Sequence, residues 1–91
     1  MPLIEFYGLE CPHCRNIEPL VARLEQEGHA VERYEIWHNA DNRDNKFRPL
    51  EKGRCGGVPF LINTETDEWI CGEADYTTLK SLAEGKKIAH E

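Results

Sequence analysis

Two cysteines with two residues between them, Cys11 and Cys14, fall where a run of strand formers gives way to a helical stripe. That junction constrains the fold more than any other feature of the chain. Leu3-Ile4-Glu5-Phe6-Tyr7 is rich in strand formers and is ended by Gly8, which predicts a first strand. Pro12 suits the first helical position, where its missing N–H costs nothing. Ile17, Leu20, Val21 and Leu24 follow at i, i+3, i+4 and i+7 spacing, an amphipathic stripe, and Gly28 predicts the helix end. A second strand is predicted over Val31 to Trp37, parallel to the first because a helical crossover joins them.

The rest of the chain completes one layered domain. Asn39 to Lys52 is polar and helix-compatible, with Pro49 kinking or shortening any helix there, and Gly53, Gly56 and Gly57 break it. Pro59-Phe60-Leu61-Ile62 and Glu68-Trp69-Ile70-Cys71 predict an antiparallel hairpin around Asn63 to Asp67. With the turn centred near residue 65, facing residues sum to about 130, which sets Cys71 opposite Pro59. Asp75 predicts the cap of a last helix, apolar at Leu79, Leu82 and Ala83 and stopping near Gly85. The order β-α-β-α-β-β-α implies an α/β fold with a four-stranded mixed sheet flanked by helices. At 91 residues the chain is expected to form a single domain spanning 1–91.

Charge narrows the partners. The net charge of −6 comes with no Lys/Arg cluster able to neutralise phosphates, so no nucleic-acid partner is expected. No apolar stretch approaches the ~20 residues that cross a bilayer, so no membrane partner is expected either. The segment Met1-Pro2-Leu3-Ile4-Glu5-Phe6 lacks a basic leader region and a long apolar run, so no signal peptide and a cytoplasmic location are expected; a monomer is a separate expectation. In such a reducing compartment, a C-x-x-C pair reads as catalysis or metal binding rather than as a staple.

The chemistry follows from where the first sulfur sits. The free N–H groups and positive end of a helix favour a thiolate at its N-cap, so the Cys11 thiol is expected to ionise below the ordinary value of about 8.5. Cys14, one turn on and more buried, keeps its proton longer. Cys11 is therefore the expected nucleophile and Cys14 the resolving thiol of a thiol–disulfide exchange. His13, between them, is positioned by sequence to give a hydrogen bond or charge to the Cys11 thiolate, the plainer reading being a solvent-facing ring. A zinc half-site built from the pair, His13 and a distant Cys55 or Cys71 competes with this, but no second close-spaced ligand motif is present. No cofactor is expected, since the electrons reside on the sulfurs.

Cys11-Pro12-His13-Cys14-Arg15-Asn16-Ile17-Glu18-Pro19 resembles the active-site segment of the thioredoxin superfamily, C-x-x-C-[KR]-x-[IL]-x-P. Gly57-Val58-Pro59 resembles the loop whose proline is cis in that family and faces the dithiol. The resemblance implies a thioredoxin fold in its minimal, glutaredoxin-sized form, because the extra N-terminal strand and helix of full thioredoxins are missing. It also implies thiol–disulfide oxidoreductase activity on protein or small-molecule disulfides. Pro12, Gly57, Val58 and Pro59 would then line the substrate site, with Val58 offering backbone hydrogen bonds. Glu5, six residues before Cys11, resembles the family's buried acid that relays a proton for the resolving cysteine. Arg33 in the second strand would neutralise it, and a surface Glu–Arg pair is the equal alternative.

Departures from the family pattern bear on the electron donor. Gly8 stands where glutaredoxins carry Lys, Gly57 replaces a common Thr, and Cys71-Gly72-Glu73-Ala74-Asp75 only loosely echoes their Gly-Gly-x-Asp-Asp segment. A thioredoxin-reductase-type flavoprotein or glutathione is the expected donor, and a glutathione-dependent glutaredoxin-like reductase is the second reading. A metal or iron–sulfur carrier is the third. The Pro-His dipeptide is similar to that of periplasmic disulfide-forming oxidases, without their helical insertion. For Cys55 and Cys71 the plainest reading is two inert thiols, ahead of a disulfide, structural or regulatory, and of a metal role. Tyr7, Trp37 and Trp69 read as core or sheet-face aromatics rather than a binding platform.

Overall fold

A computed structural model describes residues 3–90. Met1 and Pro2, which open the segment read above for a leader, lie outside the described residues. Four strands form one mixed sheet in the order β2-β1-β3-β4: β1 (Leu3–Tyr7), β2 (Val31–Glu35), β3 (Phe60–Asn63) and β4 (Glu68–Cys71). β1 runs parallel to β2 and antiparallel to β3, and β3 pairs antiparallel with β4. This is the α/β architecture expected from the element order.

Helix α1 (Pro12–Gln26) carries the β1-to-β2 crossover. It forms as expected, with Pro12 in its first turn and Gly28 beyond the cap at φ +97°, a conformation that Gly adopts without a Cβ penalty. Its stripe of Cys14, Ile17, Val21 and Leu24 is buried against one sheet face. There it meets Leu3, Leu61 and Ile70 from the sheet and Leu79 and Leu82 from α3 (Tyr76–Ala83). Each such fully buried side chain contributes about 1.5–3 kcal/mol. Asp75 caps α3 by accepting from Thr78 N–H at 2.8 Å.

The opposite sheet face is covered by the segment after β2. A π-helical stretch, Asn42–Phe47, runs into the single turn of α2 (Arg48–Glu51), with Pro49 in the first turn of α2. Phe47 reaches down onto Phe6 and Phe60, with edge-on ring contacts at 5.2 and 5.9 Å between centroids. Ile36 and Ile62 complete this second cluster. The proline shortens the helix, and the apolar Phe47 anchors it.

Two expectations are corrected. β2 ends at Glu35 rather than Trp37. The Glu35 carboxylate accepts the N–H groups of Trp37 and His38, which turns the chain away from the sheet. The hairpin register is offset by one, so Cys71 faces Phe60, not Pro59. The connection between Asn63 and Glu68 has four residues, not an apex of one, so facing residues sum to an odd number. Asp67 makes that loop possible at φ +61°, and Asn63 ties it to α3 by donating from Nδ2 to Leu82 O at 2.9 Å.

Candidate functional site

Cys11 lies at the N-cap of α1, in extended backbone at φ −79° and ψ 110°. Its sulfur accepts the Cys14 N–H at 3.1 Å, and its own N–H donates to Gly8 O at 3.1 Å. The sequence dictates this locally: Gly8 ends the strand, Pro12 starts the helix, and the residue before Pro12 is held extended. Cys11 and Cys14 are joined as a disulfide across one helical turn, with Cα atoms 5.2 Å apart. The expectation that Cys14 is the more buried of the two is corrected: each is 2 % exposed, because the disulfide holds both sulfurs together at the helix start. In the disulfide its sulfur is engaged on one side by Cys14 and lies 3.8 Å from the Val58 carbonyl oxygen on the other.

The Val58 carbonyl is the part of this loop beside Cys11, and the Val58–Pro59 bond is cis. Gly57 leads into this loop, and a Cβ there would meet nothing within 4 Å, so the position is open. Gly8 is the opposite case. A Cβ on it would lie 2.2 Å from the Trp37 ring, so only glycine fits beneath that indole. Trp37 is therefore not a core aromatic; it is 47 % exposed beside the site. Trp69 is a sheet-face residue, stacked by His90 at 3.8 Å.

His13 shares a 2.5 Å hydrogen bond between Nδ1 and Glu73 Oε2. Asn16 Nδ2 donates to the same oxygen at 3.1 Å. These bonds, His13's foremost, hold the Glu73 carboxyl below the usual range. Pro12 is exposed at the helix start. Glu73 was not singled out as a functional residue in the sequence, where it figures only within the Cys71–Asp75 echo.

Glu5 is fully buried, which overturns the surface-pair alternative. It shares a sheet face with Leu3, beneath α1, and Arg33 Nε stands 3.4 Å from its Oε1, an ion-pair distance. The same guanidinium hydrogen-bonds Glu18 and, at 2.7 Å, Glu25, both on α1. No hydrogen-bond donor reaches either Glu5 oxygen among the described residues. Burial, reinforced by Glu18, outweighs Arg33 and pushes the Glu5 carboxyl up to about 7. Because the group ionises near 4.5 in the unfolded chain and about 7 in the folded one, its ionisation favours unfolding as the pH rises. The folded state is unpenalised below about pH 4.5 and loses about 3 kcal/mol by pH 8. Glu5→Gln should therefore gain stability relative to the wild type by about that amount across this interval, measured by urea unfolding at several pH values. A constant difference would contradict it.

Cys55 and Cys71 form a second disulfide, with Cα atoms 5.4 Å apart, so the inert-thiol reading is corrected. The β3–β4 pairing brings Cys71 to the level of Phe60, and the glycine-rich turn returns Cys55 to it. Gly72 N–H donates to Pro59 O at 2.8 Å, so the strand end and the cis-proline loop are joined at a further point. Glu51, unremarked in the sequence, holds the same loop. Its carboxylate accepts N–H bonds from Gly53, Cys55 and Gly56 at 2.8, 2.5 and 2.8 Å. Burial pushes the Glu51 carboxyl up, but those three donors together bring it below the usual range. A Glu followed by Gly, Cys and Gly at offsets two, four and five was the available signal.

A cavity of about 400 Å³ lies beside this second disulfide, lined among others by Arg54, Trp69, Cys71 and His90, and does not include Cys11. Among the described residues, no group of three or more His, Cys, Asp or Glu side chains is arranged to hold a metal ion. Among them, too, no helix is long and apolar enough to cross a membrane.

No family model matches the sequence, and no curated protein matches it. Solved structures do match. A wheat glutaredoxin superposes with a TM-score of 0.60 at 20% identity, over 94% of this chain and 82% of its own. A buckwheat glutaredoxin, solved as a complex with glutathione, gives 0.57 at 20% identity, over 93% and 71%. The likeness is one of fold: the chain shares the glutaredoxin/thioredoxin-like α/β fold of these structures.

Proposed function

We propose, from the thioredoxin-superfamily fold and the cysteine pair it carries at a helix start, that this chain is a thiol–disulfide oxidoreductase. The observation that carries the reading is the Cys14 N–H directed at the Cys11 sulfur, 3.1 Å away at the positive end of a 15-residue helix. That N–H and the helix end stabilise negative charge on sulfur, and a thiolate is the attacking species in disulfide exchange.

In the reduced protein, the Cys11 thiolate attacks one sulfur of a disulfide. One half of the substrate leaves as a thiolate and takes a proton from solvent. The Cys14 thiol then loses its proton and attacks the Cys11 sulfur, releasing the second half. Two electrons pass to the substrate, and the Cys11–Cys14 disulfide remains. Glu5 is the proton acceptor for Cys14 in this reading: a carboxyl near 7 is half ionised at neutral pH, which suits a group that takes and returns protons. Pro12, Gly57, Val58 and Pro59 line the approach of the substrate, with the Val58 backbone as its hydrogen-bonding partner. Glutathione, or the dithiol of a thioredoxin-reductase-type flavoprotein, returns the two electrons, in a cytoplasmic setting.

The donor divides two versions of this function. Gly8 under Trp37 and the bare Gly57 leave two family contacts to glutathione unmade, and Asp75 is committed to capping α3. These features favour the flavoprotein. The glutathione complex of the buckwheat glutaredoxin keeps the other version in view. Incubating the oxidised protein with NADPH and either glutathione plus glutathione reductase or thioredoxin reductase, with hydroxyethyl disulfide as acceptor, tests both. Turnover with either donor supports the oxidoreductase reading, and turnover with neither contradicts it.

His13 has a limited electronic role in this account, because the negative Glu73 carboxylate offsets any charge on its ring. His13→Ala is expected to shift the reduction potential downward by less than about 30 mV, a factor of ten in the exchange equilibrium. Equilibration against a glutathione buffer reads it, and a larger fall would restore His13 as the main determinant.

A further inference from the structure

Among the described residues, the two large apolar side chains left exposed are Leu9, at 53 %, and Trp37, at 47 %. Both stand at the entrance to Cys11. Leu9 is in the turn closed by the Cys11 N–H on Gly8 O, and Trp37 lies flat on Gly8. Neither is left loose. Glu35 Oε2 accepts the N–H of Leu9 and the N–H of Trp37, each at 3.1 Å, while Oε1 accepts the His38 N–H at 2.8 Å. His38 in turn bonds Glu10 at 2.7 Å, and Arg15 donates to Leu9 O at 3.0 Å. Two separate loops are thus tied by one carboxylate so that two apolar groups face solvent side by side. Holding apolar surface in water in this way gains nothing for the folded monomer, but it lowers the ordering cost of a contact.

We propose that Leu9 and Trp37 form a preset apolar lip for a polypeptide disulfide, receiving an apolar side chain next to the substrate cysteine, with Gly8 and Glu35 as its positioning residues. The inference deepens the oxidoreductase reading and rests on it. The charges around the lip decide between polypeptide and small anionic disulfides. Glu10, bonded to His38, and Glu35 bring two carboxylates to the lip, Arg15 brings one guanidinium whose bond there is to a neutral carbonyl, and the chain carries a net charge of −6. A tripeptide-sized disulfide with several carboxylates finds one cation there, Arg15, against two carboxylates and the negative charge of the whole chain. A neutral or basic polypeptide with Leu or Phe beside its cysteine finds both its apolar and its electrostatic complement. Aromatic residues close to a reaction centre with a fixed backbone are the type that dominates such contacts.

The test compares kcat/KM for two otherwise identical cystine-bridged peptides, one with Phe and one with Ser beside the cysteine, and for hydroxyethyl disulfide as a small neutral acceptor. The wild type is expected to favour the Phe peptide over the Ser peptide by about tenfold. Trp37→Ala should bring that ratio close to one, and Trp37→Phe should restore most of it. Gly8→Ala, which drives a Cβ into the indole, should lower the ratio as Trp37→Ala does. Thermal melts of each variant separate loss of the lip from loss of the fold. Reduction of all three acceptors with no Phe preference in the wild type, or a preference that survives Trp37→Ala, overturns the lip and leaves the oxidoreductase reading standing. Failure to reduce even hydroxyethyl disulfide overturns both.

Discussion

Replacing Cys11 with serine is expected to lower disulfide reduction by at least about a thousandfold, because a hydroxyl is not ionised at neutral pH and is a poor nucleophile toward sulfur. The N-cap geometry would survive, since serine caps helices well, so the loss would be chemical and not structural. Cys14→Ser separates the steps. Its Cys11 thiolate still attacks, but the mixed disulfide has no internal thiol to resolve it. The substrate should therefore remain attached until an external thiol releases it. Mass spectrometry of the Cys14→Ser protein after one exposure to a peptide disulfide should find one peptide bound at Cys11. If Cys11→Ser kept a rate within tenfold of the wild type, Cys11 would not be the nucleophile.

Removing the second disulfide by Cys55→Ser with Cys71→Ser is expected to cost about 3 kcal/mol of folding stability. The cross-link spans 16 residues, and closing a loop of that size restricts the unfolded chain by about that amount. For a domain of this length the melting temperature should fall by about 12–24 °C. The folded loop would keep its shape, since the Glu51 carboxylate still holds Gly53, Cys55 and Gly56 by their N–H groups. Scanning calorimetry of both proteins without reductant measures the difference with the Cys11–Cys14 pair equally oxidised in each. Equal melting temperatures would mean that the cross-link restrains nothing that folding does not already restrain.

Local signals carried most of what could be read without coordinates. β1, β4, the start of α1 at Pro12 and the Asp75 cap each depend on a few neighbouring residues, and each lies where those residues place it. Cys11 and Cys14 belong to the same class, since a single helical turn relates them. The Cys55–Cys71 bond does not. It depends on a hairpin register that Asp67's left-handed backbone displaces by one residue, and on a glycine-rich loop folding back. Glu35 and Glu51 were hidden for a related reason. A carboxylate that collects three backbone N–H groups is defined by where the chain turns, and turns over glycines and short polar runs leave little pattern. Glu5 is intermediate: its place on the strand was legible, but its burial was decided by which face α1 covers.

The measurement closest to the central claim is ultraviolet titration of the Cys11 thiolate in the reduced Cys14→Ser protein, with Cys55 and Cys71 still joined. A helix end and a directed N–H predict ionisation at least one pH unit below the ordinary cysteine value of about 8.5. Ionisation at or above that value would show that the backbone behind Cys11 does not stabilise its anion, and the assignment of this chain to disulfide exchange would lose its physical basis.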